Sequence, residues 1–138
     1  KLSVKAKALV GQNMSHLGIC SGYGLAAGTD REYVPLTAAT SWAQVQYGDA
    51  LKWGVFGGYM KNLGASKDIV AVYLNCADDI DQMWRIAPSV SYTVGNMNLA
   101  CEYELTTVAY GKLKDNGTFT DTHDVMNHRV LLSVMYSF

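Results

Sequence analysis

The sequence predicts an all-β protein, a single domain over residues 1–138 made of about six antiparallel strands running up and down. Three observations carry this. Apolar and polar residues alternate with a period of two over stretches of roughly ten residues, the mark of strands with one apolar face. No 3.6-residue helical period competes with it. The connections between patterned stretches alternate between long and very short, as consecutive hairpins do.

Each strand can be justified in order. The first, 1–10, sets Leu2, Val4, Ala6, Ala8 and Val10 against Lys1, Ser3, Lys5 and Lys7. The second, 39–48, sets Ala43, Val45 and Tyr47 against Gln44 and Gln46. In the third, 50–61, Leu51, Trp53, Val55 and Tyr59 oppose Lys52, Gly54 and Gly58, although Phe56 and Met60 blur the polar side. The fourth, 83–94, is the clearest: Trp84, Ile86, Pro88, Val90, Tyr92 and Val94 against Arg85, Ala87, Ser89, Ser91 and Thr93. Pro88 lacks the N–H a ladder needs, so a bulge or local break is expected there. The fifth, 97–110, opposes Met97, Leu99, Cys101, Tyr103 and Leu105 to Asn98, Ala100, Glu102 and Glu104. The last, 125–138, closes on "VLLSVMYSF", with Val130, Leu132, Val134 and Tyr136 at alternate positions, and is expected to run to Phe138 itself.

Composition excludes several classes. No apolar run approaches the roughly 18 residues of a membrane helix. The net charge is −1, so nothing points to nucleic acid. Lys1 opens directly on a patterned segment, as expected of a mature chain or part of one. Tight turns are expected at Gly48-Asp49 and Gly95-Asn96, which favour the positive φ of two-residue hairpins. The long connections, 11–38, 62–82 and 111–124, are rich in Gly, Asp, Asn, Ser and Thr. Such loops count against a compact soluble domain, but here they recur at one end only. Transmembrane barrels of the bacterial outer membrane have this organisation, with short periplasmic turns and long extracellular loops. A strand in hydrocarbon must pair every backbone group, so only a closed sheet can span.

The terminal "VLLSVMYSF" resembles the carboxy-terminal signature of Gram-negative outer-membrane β-barrel proteins, and the closing segments are similar in style to porin-like proteins of Bacteroidetes-type bacteria. The resemblance implies that the last strand ends at the periplasmic side and that Phe138 is read by the outer-membrane assembly machinery. All three long connections then fall outside the cell and both tight turns inside. Single-chain barrels start at eight strands, so six leave two open edges. Further strands are therefore expected before Lys1, the chain being the carboxy-terminal part of a larger barrel. The alternative is a barrel shared between copies of the chain or with a partner chain.

On this reading Lys5, Lys7, Gln44, Gln46, Lys52, Arg85, Ser89, Ser91, Glu102, Glu104 and Arg129 line the interior. Outer-membrane lipid meets the apolar face, where aromatics gather at the two interfaces. Tyr47, Trp53, Tyr92, Tyr136 and Phe138 lie near the periplasmic strand ends, and Tyr59, Trp84 and Tyr110 near the extracellular ones. The expected function is a porin-like passive channel for small hydrophilic solutes, its wall modestly basic and favourable to anions. The plain alternative for those charges is a wet interior in which they pair with one another. A structural, adhesion or partner-docking anchor without channel activity is the second functional reading, and a soluble lipocalin-type barrel the third.

No enzymatic activity, cofactor or metal is expected. His128 faces outward near the extracellular interface, but no serine shares that face of its strand. "DTHDVMNH" offers Asp121, His123 and Asp124, and "ADDIDQ" offers Asp78, Asp79 and Asp81, neither with the spacing of an EF-hand loop or a zinc motif. His16 stands alone in the first long loop. Cys20 and Cys76 fall in neighbouring extracellular loops, where a disulfide between them would persist. Cys101 falls on the apolar face, where it acts as a small apolar group.

Overall fold

A computed structural model describes residues 1–28, 32–73 and 79–138. The described chain is almost wholly antiparallel β-structure, an eight-stranded sheet curled into half a barrel. The strands are β1 (Leu2–Gln12), β2 (Tyr23–Ala26), β3 (Tyr33–Gly48), β4 (Leu51–Ala65), β5 (Ile69–Tyr73), β6 (Ile80–Val94), β7 (Met97–Leu113) and β8 (Phe119–Tyr136). A 3-10 turn at Ser15–Leu17 is the one helical element among the described residues. No described helix is long and apolar enough to cross a membrane, a statement that does not bear on strands.

The six long strands are the six predicted, in the order β1-β3-β4-β6-β7-β8. They run further than expected at the end that carries the long connections. The connection predicted over 111–124 shrinks to residues 114–118, because β7 and β8 continue into it. Two short strands, β2 and β5, form within the stretches predicted as loops 11–38 and 62–82. Segments of four or five residues are too short to display a period. At the other end, β3 and β4 are joined through Asp49-Ala50 and β6 and β7 through Gly95-Asn96. The positive φ angles fall on Gly48 (128°) and Gly95 (55°).

Pro88 breaks the ladder on one side only. It stays opposite Val55 of β4, but its pairing with β7 lapses between Ile86–Leu105 and Ser89–Glu102 and resumes in unchanged register. The expected local break is present without a bulge. At its carboxy end β8 stops at Tyr136, so Phe138 lies beyond the strand, fully exposed, with its ring 6.5 Å from that of Tyr136. The expectation that the last strand runs to Phe138 is corrected to this extent. Only the N–H of Ser137, donating to Asn96 O at 2.9 Å, prolongs the ladder.

Register decides the two faces, because cross-strand partners share a side. Leu2–Tyr47–Trp53–Val90–Cys101–Leu132 form one row across all six strands. Val4, Val45, Val55 and Pro88 make the next row, and Leu51, Tyr92, Leu99 and Val134 another. The result is one continuous apolar face, with Leu132 75% and Val134 69% exposed. The opposite, concave face holds the polar residues and is the less exposed of the two.

The concave face is filled at the loop end. Val34 and Leu36 of β3 join Ala26, Ile69 and Val72 in one small core. This core is enclosed by a ring of segments: β2 pairs with β3 and β5, while Ile69 N–H donates to Asp115 O and Ala65 N–H to Asn116 O. The tip 114–118 thus docks on the end of β4, where β6 has not yet begun. Asn62, buried on β4, clamps it by donating to Gly117 O at 2.8 Å. A second core holds Cys20, Met60 and Ile80, with Met83, Val108 and Tyr110 packed against it. The segment after the 3-10 turn therefore crosses the concave face from β1 towards β7. Ser21 pins it to β3, its Oγ donating to Leu36 O at 2.8 Å. Tyr110 belongs to this core, not to an aromatic belt.

Candidate functional site

The concave face is the candidate site, since the chemistry-bearing side chains of the long strands converge there. Its rows follow from register. Lys5 is opposite Gln44, which is opposite Phe56. Lys7, Trp42, Gly58, Arg85 and Thr106 make the next row towards the loop end. Gln46, Gly54, Ser89 and Glu102 make the row on the other side, with Lys52 and Ser91 one pair beyond. Glu104 is opposite Arg129. All eleven polar residues singled out from the sequence share this one face.

Charge is distributed unevenly across it. Glu104, only 13% exposed, receives Arg129 Nη2 at 2.9 Å and lies 3.5 Å from Arg85 Nη1. Arg129 also reaches Glu102 at 3.7 Å, and Arg85 Nε donates to Thr106 Oγ1 at 3.0 Å. Two arginines and two glutamates on β6–β8 thus form a neutral network, the pairing that the plain alternative expected. On the β1–β3–β4 side, Lys5, Lys7 and Lys52 have no ion pair among the described residues. The wall is neutral at one edge and cationic at the other.

Two side chains of this face were not recognised from the sequence. Trp42 and Phe56 stack with ring centroids 6.1 Å apart and planes inclined by 29°. In the sequence pattern Phe56 only blurs a polar face, and Trp42 has no place in the alternation. The signal is the even-numbered position of both, on the side that also carries Gln44, Gln46 and Lys52.

The remaining sequence candidates sit apart. Tyr47, Trp53, Tyr59, Trp84, Tyr92 and Tyr136 all belong to the apolar face, with Tyr47 beside Trp53 and Tyr59 beside Trp84. His128 is on that face too, its Nδ1 2.6 Å from Tyr103 Oη. His123 stacks on Tyr110 at 6.0 Å, and Asp121 pairs loosely with Lys112 at 3.4 Å. His16 is exposed in the 3-10 turn. Asp81, buried at the register shift that opens β6, pairs with Lys61 at 2.6 Å. Asp78 and Cys76 lie outside the described residues, and with them the proposed Cys20–Cys76 pairing. Cys20 itself is disulfide-bonded and buried, while Cys101 is a free thiol on the apolar face. Among the described residues no group of His, Cys, Asp and Glu is arranged to hold a metal ion.

The class the geometry defines is a curled antiparallel β-sheet with one apolar and one polar, partly charged, concave face. Compared with protein-family models, curated proteins and solved structures, the chain matches none of them.

Proposed function

We propose that this chain is part of the wall of a transmembrane β-barrel of the bacterial outer membrane, acting as a porin-like passive channel for small hydrophilic solutes. One observation carries the reading: register brings the apolar side chains of six strands onto a single face that no other element among the described residues covers. An apolar surface of that extent is a liability in water and a requirement in lipid. Aromatic residues flank it, Tyr47, Trp53, Tyr92 and Tyr136 towards the tight turns and Tyr59 and Trp84 towards the loops, as membrane interfaces favour. The polar face is concave, where a barrel would hold water. Its cationic edge favours anionic solutes, and its β1 and β8 edges await neighbouring strands.

The experiment is single-channel conductance of the full-length protein in planar bilayers. Discrete steps with a reversal potential on the anion-selective side are the expected outcome. An anchoring or partner-docking role is favoured by one feature, the enclosed core at the loop end, which would present an ordered surface outside the cell. Membrane insertion without conductance would select that role instead.

A further inference from the structure

The Trp42–Phe56 stack occupies an unusual place. Both rings are half-buried on the polar face, yet neither belongs to the cores above them, which end at Met60, Met83 and Val108. A cavity of about 250 Å³ separates the rings from the infolded segment. Gly18 of that segment forms its roof, Trp42, Phe56 and Gly58 its floor, and Thr40, Met60, Met83 and Arg85 its sides. Gly58 is what lets the Phe56 ring lie flat along the floor, since a Cβ there would come within 3.2 Å of Phe56 Cε1. One cation lines the cavity, Arg85, the partner of Gly58; Lys7, Trp42's cross-strand partner, and Lys5, two strands from Phe56 through Gln44, share the face but not the lining. Arg85 is braced from behind by Glu104 and Thr106. Lys7 is not held in any ion pair among the described residues.

We propose that this cavity binds a monocyclic aromatic carboxylate, the ring lying against Trp42 and Phe56 and the carboxylate meeting Arg85. Stacked rings select a flat apolar ring. A guanidinium selects a carboxylate, which it meets with charge-assisted hydrogen bonds. An inorganic anion would leave the rings unused, and a neutral ring would forgo the hydrogen bonds that Arg85 has left to give. The volume suits a single ring with a short substituent, below the size typical of drug-like ligands. The inference names a solute class for the proposed channel and rests on that reading for its delivery, but the site is complete within one wall.

The test uses the full-length protein in detergent, titrated with benzoate, benzamide, acetate and inorganic phosphate. Binding is followed by calorimetry and by tryptophan fluorescence. Benzoate is expected to bind saturably and to quench fluorescence that Trp42→Phe diminishes; benzamide, acetate and phosphate are expected not to. Trp42→Ala and Arg85→Gln should each weaken benzoate binding about five- to tenfold, whereas Trp53→Phe, on the opposite face and outside the cavity's lining, should leave it unchanged. Trp42→Phe should bind with an intermediate constant, which separates a lost stacking partner from a misfolded wall. Equal binding of benzamide or phosphate, or a benzoate constant indifferent to Trp42→Ala and Arg85→Gln, would overturn the site. Conductance without benzoate binding would remove this site and spare the channel. Benzoate binding without conductance would do the reverse.

Discussion

At the scale of single residues, the most constrained backbone position is Gly64. Its φ of 85° suits glycine, and a Cβ there would approach Asn116 O to 2.5 Å. Gly64→Ala should therefore cost about 1–3 kcal/mol and loosen the 114–118 tip. Gly57→Ala, on the same strand with nothing within 4 Å of an added Cβ, should be close to neutral. Melting of the two variants in detergent measures this, and equal midpoints would contradict the docking of the tip. Glu104 sets a different constraint, as the shared countercharge of Arg85 and Arg129. Its arginine partners are about half exposed, so Glu104→Gln should cost no more than about 1 kcal/mol. The variant nevertheless leaves Arg85 without a carboxylate and Arg129 with Glu102 alone at 3.7 Å, and the reversal potential of the proposed channel should shift further towards anions. No shift would place the cluster away from the ion path.

At the scale of elements, the informative comparison is between neighbours on one strand. Leu132 and Ser133 of β8 point to opposite faces, opposite Cys101 and Ala100 respectively. In a lipid-facing wall a charge near the midplane costs about 2–4 kcal/mol. Leu132→Arg should thus sharply lower the yield of folded, heat-modifiable barrel, while Ser133→Arg should be tolerated. Equal yields would remove the membrane reading of the apolar face. The end of β8 supports a second comparison. Deleting Phe138 should reduce assembled protein in outer-membrane fractions more than Ser137→Ala does, because the exposed terminal ring resembles the mark read during assembly. These strands were legible because each alternates over ten or more residues. The two short strands, β2 and β5, were not, since four- and five-residue segments are indistinguishable from loop until a core selects them.

For the whole molecule, the arrangement is a polar trough lined on its back by apolar side chains and closed over at one end. Among the described residues the β1 and β8 edges each present an unpaired row of backbone groups, which is costly in a membrane. The loop end is held by the enclosed core and by the Cys20 disulfide. Alkylation of the unreduced, unfolded protein followed by mass spectrometry should label Cys101 and leave Cys20 unlabelled. Label on Cys20 would mean that the infolded segment is held by packing and by Ser21 alone.

Strand number, direction and facing of the long strands were determined by the sequence alone. A period of two needs no tertiary information, since burial or lipid acts on every second residue regardless of which strand is the neighbour. Pro88's broken ladder followed from the missing N–H, and the common face of Lys5, Arg85, Glu102 and Arg129 from parity. What only the tertiary structure decided lies where partners are distant in the chain. Met60, Met83 and Val108 had to gather under the segment that carries Cys20 before that loop could be seen to fold inward. The tip 114–118 had to reach β4 before a mouth lined with loops became an enclosed core. Trp42 and Phe56 became a platform only when β3 and β4 paired in a register that placed their rings in contact. Such packing depends on three-dimensional neighbours, and a local pattern carries no record of them.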